Sequence, residues 1–258
     1  TLEVLKVTTK NHILNTINMN TNRTIEQLKS LKLPGMADAY QSIESLALHD
    51  RPDLDQCIAR MVEAEIQYRT ESKMKMYLKL SKLRYNAVLE DINCSTERNL
   101  KKEMILKLAD CSFIRRAENI LISGATGCGK SFLACALGRQ ACSMGYKTYY
   151  FGMNRFLEKI TQAKLDGTYV KLLNQVDKAD LIILDDFGLH PMDTTSRLAL
   201  LQILEDRYER KSMIIASQLP VSSWHNYIGE ATLADAILDR LTGNAHRFEL
   251  KGESLRRK

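Results

Sequence analysis

Apolar residues recur along this chain in two rhythms, and the change of rhythm divides it. Ile25, Leu28, Leu31 and Leu33 precede Pro34-Gly35, after which Met36, Tyr40, Ile43 and Leu46 return at steps of three and four. That spacing keeps side chains on one face of a helix, and Pro-Gly marks a helix–turn–helix-like junction. A second helical stretch is expected from near Pro52, capped by Asp50, through Ile58, Met61, Val62 and Ile66. Residues 19–95 thus read as a small all-helical domain. Residues 1–18 are polar, rich in Thr and Asn and without period, and read as a disordered extension or a cloning remnant.

Ile105, Leu106 and Leu108 indicate one more helix, and from Asn119 the rhythm alternates. Short apolar runs at 120–122, 148–151, 181–184, 213–216 and 246–250 predict strands. Helical segments are expected at 130–144, 156–165, 195–209 and 231–241. Near-continuous apolar strands separated by helices predict an α/β domain over residues 96–258, with a parallel five-stranded sheet covered on both faces.

Composition narrows the class. With 258 residues, 45% of them hydrophobic, the chain can bury one ordinary core and a small extra domain. No apolar run approaches the roughly 20 residues that span a bilayer, and no secretory leader is evident, so a cytoplasmic protein without membrane contact is expected. Six cysteines without a C-x-x-C pair suggest reduced thiols and neither a disulfide framework nor a zinc site. Cys135 and Cys142 read as buried small hydrophobes, whereas Cys128 is expected to be open to alkylation or oxidation. The formal charge of +6 is concentrated. Lys73, Lys75, Lys79, Lys82 and Arg84 form a basic run, followed by Arg98, Lys101 and Lys102, which suits a polyanion as well as it suits a solvated helix face.

Specific chemistry lies between the first strand and its helix. Gly124-Ala125-Thr126-Gly127-Cys128-Gly129-Lys130-Ser131, followed by Phe132, has the form G-x-x-x-x-G-K-[ST]. The glycines let backbone N–H groups converge on phosphates, Lys130 reaches the β- and γ-phosphates of ATP, and the Ser131 hydroxyl ligates Mg²⁺. The strand at 181–184 runs into Asp185-Asp186. Asp185 is assigned to the Mg²⁺ shell and Asp186 to polarising the attacking water. Gln218 is the first candidate, and Ser217 the second, for the polar side chain facing the γ-phosphate from the next strand.

The spacing of this loop with Asp185-Asp186-Phe187-Gly188, Ser217-Gln218-Leu219-Pro220 and Leu238-Asp239-Arg240-Leu241 resembles the AAA+ superfamily, most closely its IstB/DnaC branch. Leu28 to Met36, Glu118-Asn119 and Gly252-Glu253-Ser254-x-Arg256 are similar to IstB, the helper ATPase of bacterial transposons. The resemblance implies an oligomeric ATPase, a ring or spiral, that engages duplex DNA in its ATP state, selects the insertion target and stimulates an IstA-type transposase. It implies that the helical N-terminal domain serves assembly and DNA engagement, and that the basic residues face DNA. It also implies that Arg240 supplies an arginine finger to a neighbouring subunit, that Arg256 contacts nucleotide, subunit or DNA, and that the helical AAA+ lid is absent. The competing reading is a DnaC-like replicative helicase loader. No Cys/His cluster of the kind such loaders often carry is present, and nothing suggests the acceptor pocket of a small-molecule kinase.

Overall fold

The computed structural model of the chain describes residues 21–255. The expected extension at 1–18 and Arg256 lie outside them. The chain forms two compact units, one reaching to Lys73 and one beginning at Met74. This division falls inside a long helix and not at 95/96, because Leu83, Leu89, Ile92 and Leu100 pack into the core of the second unit.

In the first unit residues 21–30 are helical (α1), α2 spans Pro34–Glu44, and α3 begins at Leu54 and ends at Ser81. Pro34 opens α2, where its missing N–H costs nothing. Gly35 is therefore inside the helix and not in a turn. A Cβ there would stand 2.5 Å from the Ala64 carbonyl oxygen and 2.7 Å from Glu65 Cα, so glycine is what lets α2 approach α3. The cap of α3 is Asp53 and not Asp50: its carboxylate accepts the Gln56 N–H at 2.8 Å.

The second unit is built on five parallel strands, β1 (Asn119–Gly124), β2 (Thr148–Gly152), β3 (Leu181–Phe187), β4 (Ser212–Ser217) and β5 (Ala245–Leu250), in the order β2-β3-β4-β1-β5. Each central strand feeds two cores alternately. Leu121, Ile182, Leu184, Met213 and Ile215 face one, and Ile120, Ile122, Leu181, Ile183, Ile214 and Ala216 face the other. This two-residue alternation between two apolar faces is why the strands read as unbroken apolar runs. One core is closed by α7 (Met153–Leu165), α8 (Tyr169–Asp177), α9 (Thr194–Arg207), α10 (Trp224–Ile228) and α11 (Ala231–Thr242). The other is closed by α4 (Lys102–Ala109), α5 (Ser112–Arg115) and α6 (Lys130–Ser143). Asn119 pins the entry to the sheet: its amide donates to the Arg240 and Leu241 carbonyls at 3.1 and 3.2 Å, and its Oδ1 accepts the Met213 N–H at 2.9 Å. Among the described residues no helix follows β5, and no helix is long and apolar enough to cross a membrane.

Candidate nucleotide site

The carboxyl ends of β1, β3 and β4 deliver the site. β1 runs out at Gly124, the loop 125–129 turns back, and α6 begins at Lys130, so the N-terminus of a helix of 14 residues points into the loop. Gly124 has φ +146°, and a Cβ there would collide with the Leu250 carbonyl, which excludes any side chain. Lys130 is buried, and its Nζ donates to the Gly124 and Ala125 carbonyls, both at 2.8 Å. Cys128 corrects the expectation from sequence: it is fully buried within the core beneath the loop, so reagents in solution do not reach its thiol.

At the end of β3 Asp185 is 1% exposed. Its Oδ1 accepts the Asp186 N–H at 2.9 Å and its Oδ2 accepts the Tyr150 hydroxyl at 2.6 Å. Burial, reinforced by this carboxylate, pushes the Tyr150 phenol well above its ordinary range, which makes it a fixed donor. Asp186 lies in the left-handed region at φ +59°, where the register between β3 and β4 slips between Leu184 and Phe187. Such a conformation costs about 1–3 kcal/mol in a residue other than glycine and turns the second carboxylate off the strand into the cleft. From β4, Ser217 is fully buried; its hydroxyl donates to the Phe187 carbonyl at 2.6 Å and accepts the Leu219 N–H at 3.0 Å. Gln218 is exposed, and its Oε1 accepts the Thr126 hydroxyl at 2.8 Å. Of the two candidates on this strand, only Gln218 faces the loop.

These groups line one cleft of about 570 Å³, within the range of small-molecule sites, with Thr126, Gly127, Gly129, Lys130, Ser131, Phe132, Asp186 and Gln218 in its wall. Tyr85, Ile92, Leu100 and Phe132 supply an apolar side, the Tyr85 and Phe132 rings standing 6.3 Å apart. Three features were not legible in sequence. Arg84, grouped above with a DNA-facing run, points into this cleft and pairs with Asp186 at 3.3 Å. Arg98, also read as part of a basic run, is buried and donates to the Cys128 carbonyl behind the loop. The residues after β5 pass over the loop: the Leu255 N–H donates to the Gly127 carbonyl at 3.0 Å, the Ser254 side chain rests on Gly127, and Leu255 joins the cleft wall.

Arg240 stands apart. Its backbone is tied to Asn119, at the start of the strand whose far end carries the loop, and six residues of strand span about 20 Å. Its guanidinium pairs with Glu205 at 2.8 Å and Asp239 at 3.3 Å, beside a second cleft of about 310 Å³. Arg207 in the same region is 1% exposed and donates to the Val176, Ala179 and Ser212 carbonyls, a structural role. Lys73, Lys75, Lys79 and Lys82 are all exposed. Lys75 and Lys79 stand one turn apart on α3, and Lys73, two residues earlier, closes the first unit. Lys82 follows the helix with φ +52°, and Lys101 and Lys102 stand exposed at the start of α4.

The profile of the family described as IstB-like ATP binding protein matches residues 26–258. The insertion-sequence protein y4pL of Sinorhizobium fredii, described as ATP-binding, is 42% identical over 91% of this chain and 96% of its own length. The IS5376 ATP-binding protein of Geobacillus stearothermophilus is 32% identical over 91% of this chain and 93% of its own. Among solved structures, AMPPCP-bound DnaA from Aquifex aeolicus superposes with a TM-score of 0.58 at 22% identity, over 67% of this chain and 52% of that one, so the chain spans about half of DnaA. DnaI superposes with a TM-score of 0.57 at 16% identity, over 69% of this chain and 94% of that one. These two share its AAA+ fold. Because the family match takes in the helical unit from residue 26 as well as the whole nucleotide site, the chain belongs to the IstB-like ATP-binding proteins of insertion sequences.

Proposed function

We propose that this protein is a Mg²⁺-dependent ATPase that assembles on duplex DNA as a homo-oligomer in its ATP state, selects an insertion target and stimulates an IstA-type transposase. The observation that carries the reading is the convergence of Lys130, Asp186 and Gln218 on one cleft, in a chain whose relatives are insertion-sequence ATP-binding proteins. Loop N–H groups and the start of α6 take the ATP phosphates, with Lys130 as the cation for the β- and γ-oxygens. Ser131, Asp185 and Asp186 offer hydroxyl and carboxylate oxygens, the donor set that suits Mg²⁺. Among the described residues no cluster of three or more His, Cys, Asp or Glu points to a different metal. When bound there, the ion neutralises charge on the transferring phosphoryl group. Asp186 polarises the attacking water, Gln218 faces the γ-phosphate, and Arg240 reaches a neighbour's nucleotide. The helical region, taken as residues 19–95, serves assembly and DNA engagement, with Lys73, Lys75, Lys79 and Lys82 as phosphate contacts, and Lys101 and Lys102 of the second domain add to them. Helicase loaders of the DnaC type share the fold, and the insertion-sequence relatives favour the transposition reading.

The test compares duplex binding by the wild type and Lys130→Ala, with and without ATP and Mg²⁺, in parallel with phosphate release. ATP should tighten wild-type binding to duplex at least about tenfold, and the variant should show neither that gain nor turnover. Equal affinity for duplex with and without ATP, or ATP-dependent preference for single strands, would overturn the transposition reading.

A further inference from the structure

Arg84, the last residue of the first basic run, has its guanidinium in the wall of the nucleotide cleft. It follows the end of α3 by three residues, and its guanidinium lies 5.5 Å from the centroid of the Tyr85 ring. Its Nη1 stands 3.3 Å from Asp186 Oδ2 and 3.9 Å from Asp185 Oδ2, so one nitrogen addresses both carboxylates of the acidic pair. A guanidinium keeps its charge throughout the pH range in which proteins fold, so the positive charge beside the acidic pair is permanent. The Tyr150 hydroxyl donates to Asp185, which links Arg84, Tyr150 and both acids in one network.

We infer that Arg84 is a cis-acting positioning residue that holds Asp186 as its counter-ion and competes with Mg²⁺ for the acidic pair. The inference rests on the ATPase reading and adds a residue to it. Asp186 occupies a costly backbone conformation, and its carboxylate needs a partner to keep one orientation; Arg84 is the cation the fold places there. A fixed positive charge this close to Asp185 opposes a dication at the same oxygens, since like charges a few ångströms apart repel wherever water is partly excluded. Binding of the metal–nucleotide pair therefore requires the guanidinium to move off the acids. Its side chain, 44% exposed, has room to swing toward the phosphate oxygens. Arg84 thereby sets how much Mg²⁺ is needed to load the site and where Asp186 points when it is loaded.

The experiment titrates Mg²⁺ into full-length protein with a fluorescent ATP analogue and reads binding, not turnover. Arg84→Gln should lower the Mg²⁺ concentration for half-maximal binding by about fivefold or more, while Arg84→Lys, which keeps the charge, should stay within about twofold of wild type. The Arg84→Gln shift should shrink severalfold when Asp186→Asn is already present, because the guanidinium has then lost its main counter-ion. An unchanged midpoint in a variant with wild-type melting behaviour overturns the inference, as does an equal shift in the Asp186→Asn background. A raised midpoint also overturns it, and would make Arg84 a direct phosphate ligand. Should the wild type fail to bind the analogue at saturating Mg²⁺, the ATPase reading itself falls. Normal wild-type binding with unshifted variants removes only the role of Arg84.

Discussion

Single residues here carry charge and hydrogen-bonding roles that their neighbours enforce. Arg207 shows the cost of a buried cation: burial pulls its pKa down to about 10, and it stays charged at neutral pH while it donates to carbonyls around the end of α8 and at the start of β4. Cys111 shows the opposite case of a group kept neutral. It is fully buried in the core beneath α4 and α6, and burial pushes its thiol up to about 11. Cys135 and Cys142 are raised for the same reason. The sign follows directly: above an ordinary thiol value near 8.5 the unfolded chain ionises while the folded one does not, so stability is lost as pH rises from there toward 11. The loss from Cys111 alone is on the order of 2–3 kcal/mol. Chemical denaturation at pH 7.5 and pH 10 should show a smaller alkaline loss for Cys111→Ala than for the wild type. Equal losses would mean that the thiol ionises in the folded protein.

At the level of elements, legibility tracked how local the information was. β1, β3 and β4 were evident because each feeds two apolar cores, and the phosphate loop and the acid pair were evident because strand and helix flank fixed residue spacings. The helix α10, with 5 residues, is too short for an apolar period to establish itself. Gln218 could be placed opposite the loop because β4 separates β1 from β3 in this fold. Arg84 could not be placed, since its partner lies 102 residues away and its local setting is a run of lysines. On α3, Lys75 and Lys79 stand exposed one turn apart on a shared face. Replacing both by Ala should keep the helix, because Ala is the best helix former. If they meet phosphates, the slope of log affinity against log salt should flatten by about 1.8. Salt titrations on duplex with an unchanged slope would leave this face merely solvated.

For the whole molecule, the sheet separates the two halves of the proposed chemistry. The phosphate loop stands at one end of β1 and Arg240 is tied to the other, so the arginine finger proposed for Arg240 would have to serve the loop of a second copy of the chain. Arg240→Ala should bind ATP and hardly hydrolyse it, whereas Lys130→Ala keeps its arginine and loses its nucleotide. Mixed on DNA, the two inactive proteins should recover part of the ATPase activity, since a finger is worth roughly 10³–10⁵ in rate where it has been measured in GTPases. No recovery at any ratio, with co-assembly shown by crosslinking, removes the shared site. The strap laid over the phosphate loop by Ser254 and Leu255 has a practical consequence. A dye at Ser254→Cys would sit at the mouth of the cleft and be disturbed by any ligand that enters. The thiols of Cys111, Cys128, Cys135 and Cys142 are shielded, so silencing the half-buried Cys57 and Cys94 would leave that label alone. The fold thus offers a single-site optical sensor of nucleotide arrival, readable before any phosphate is released.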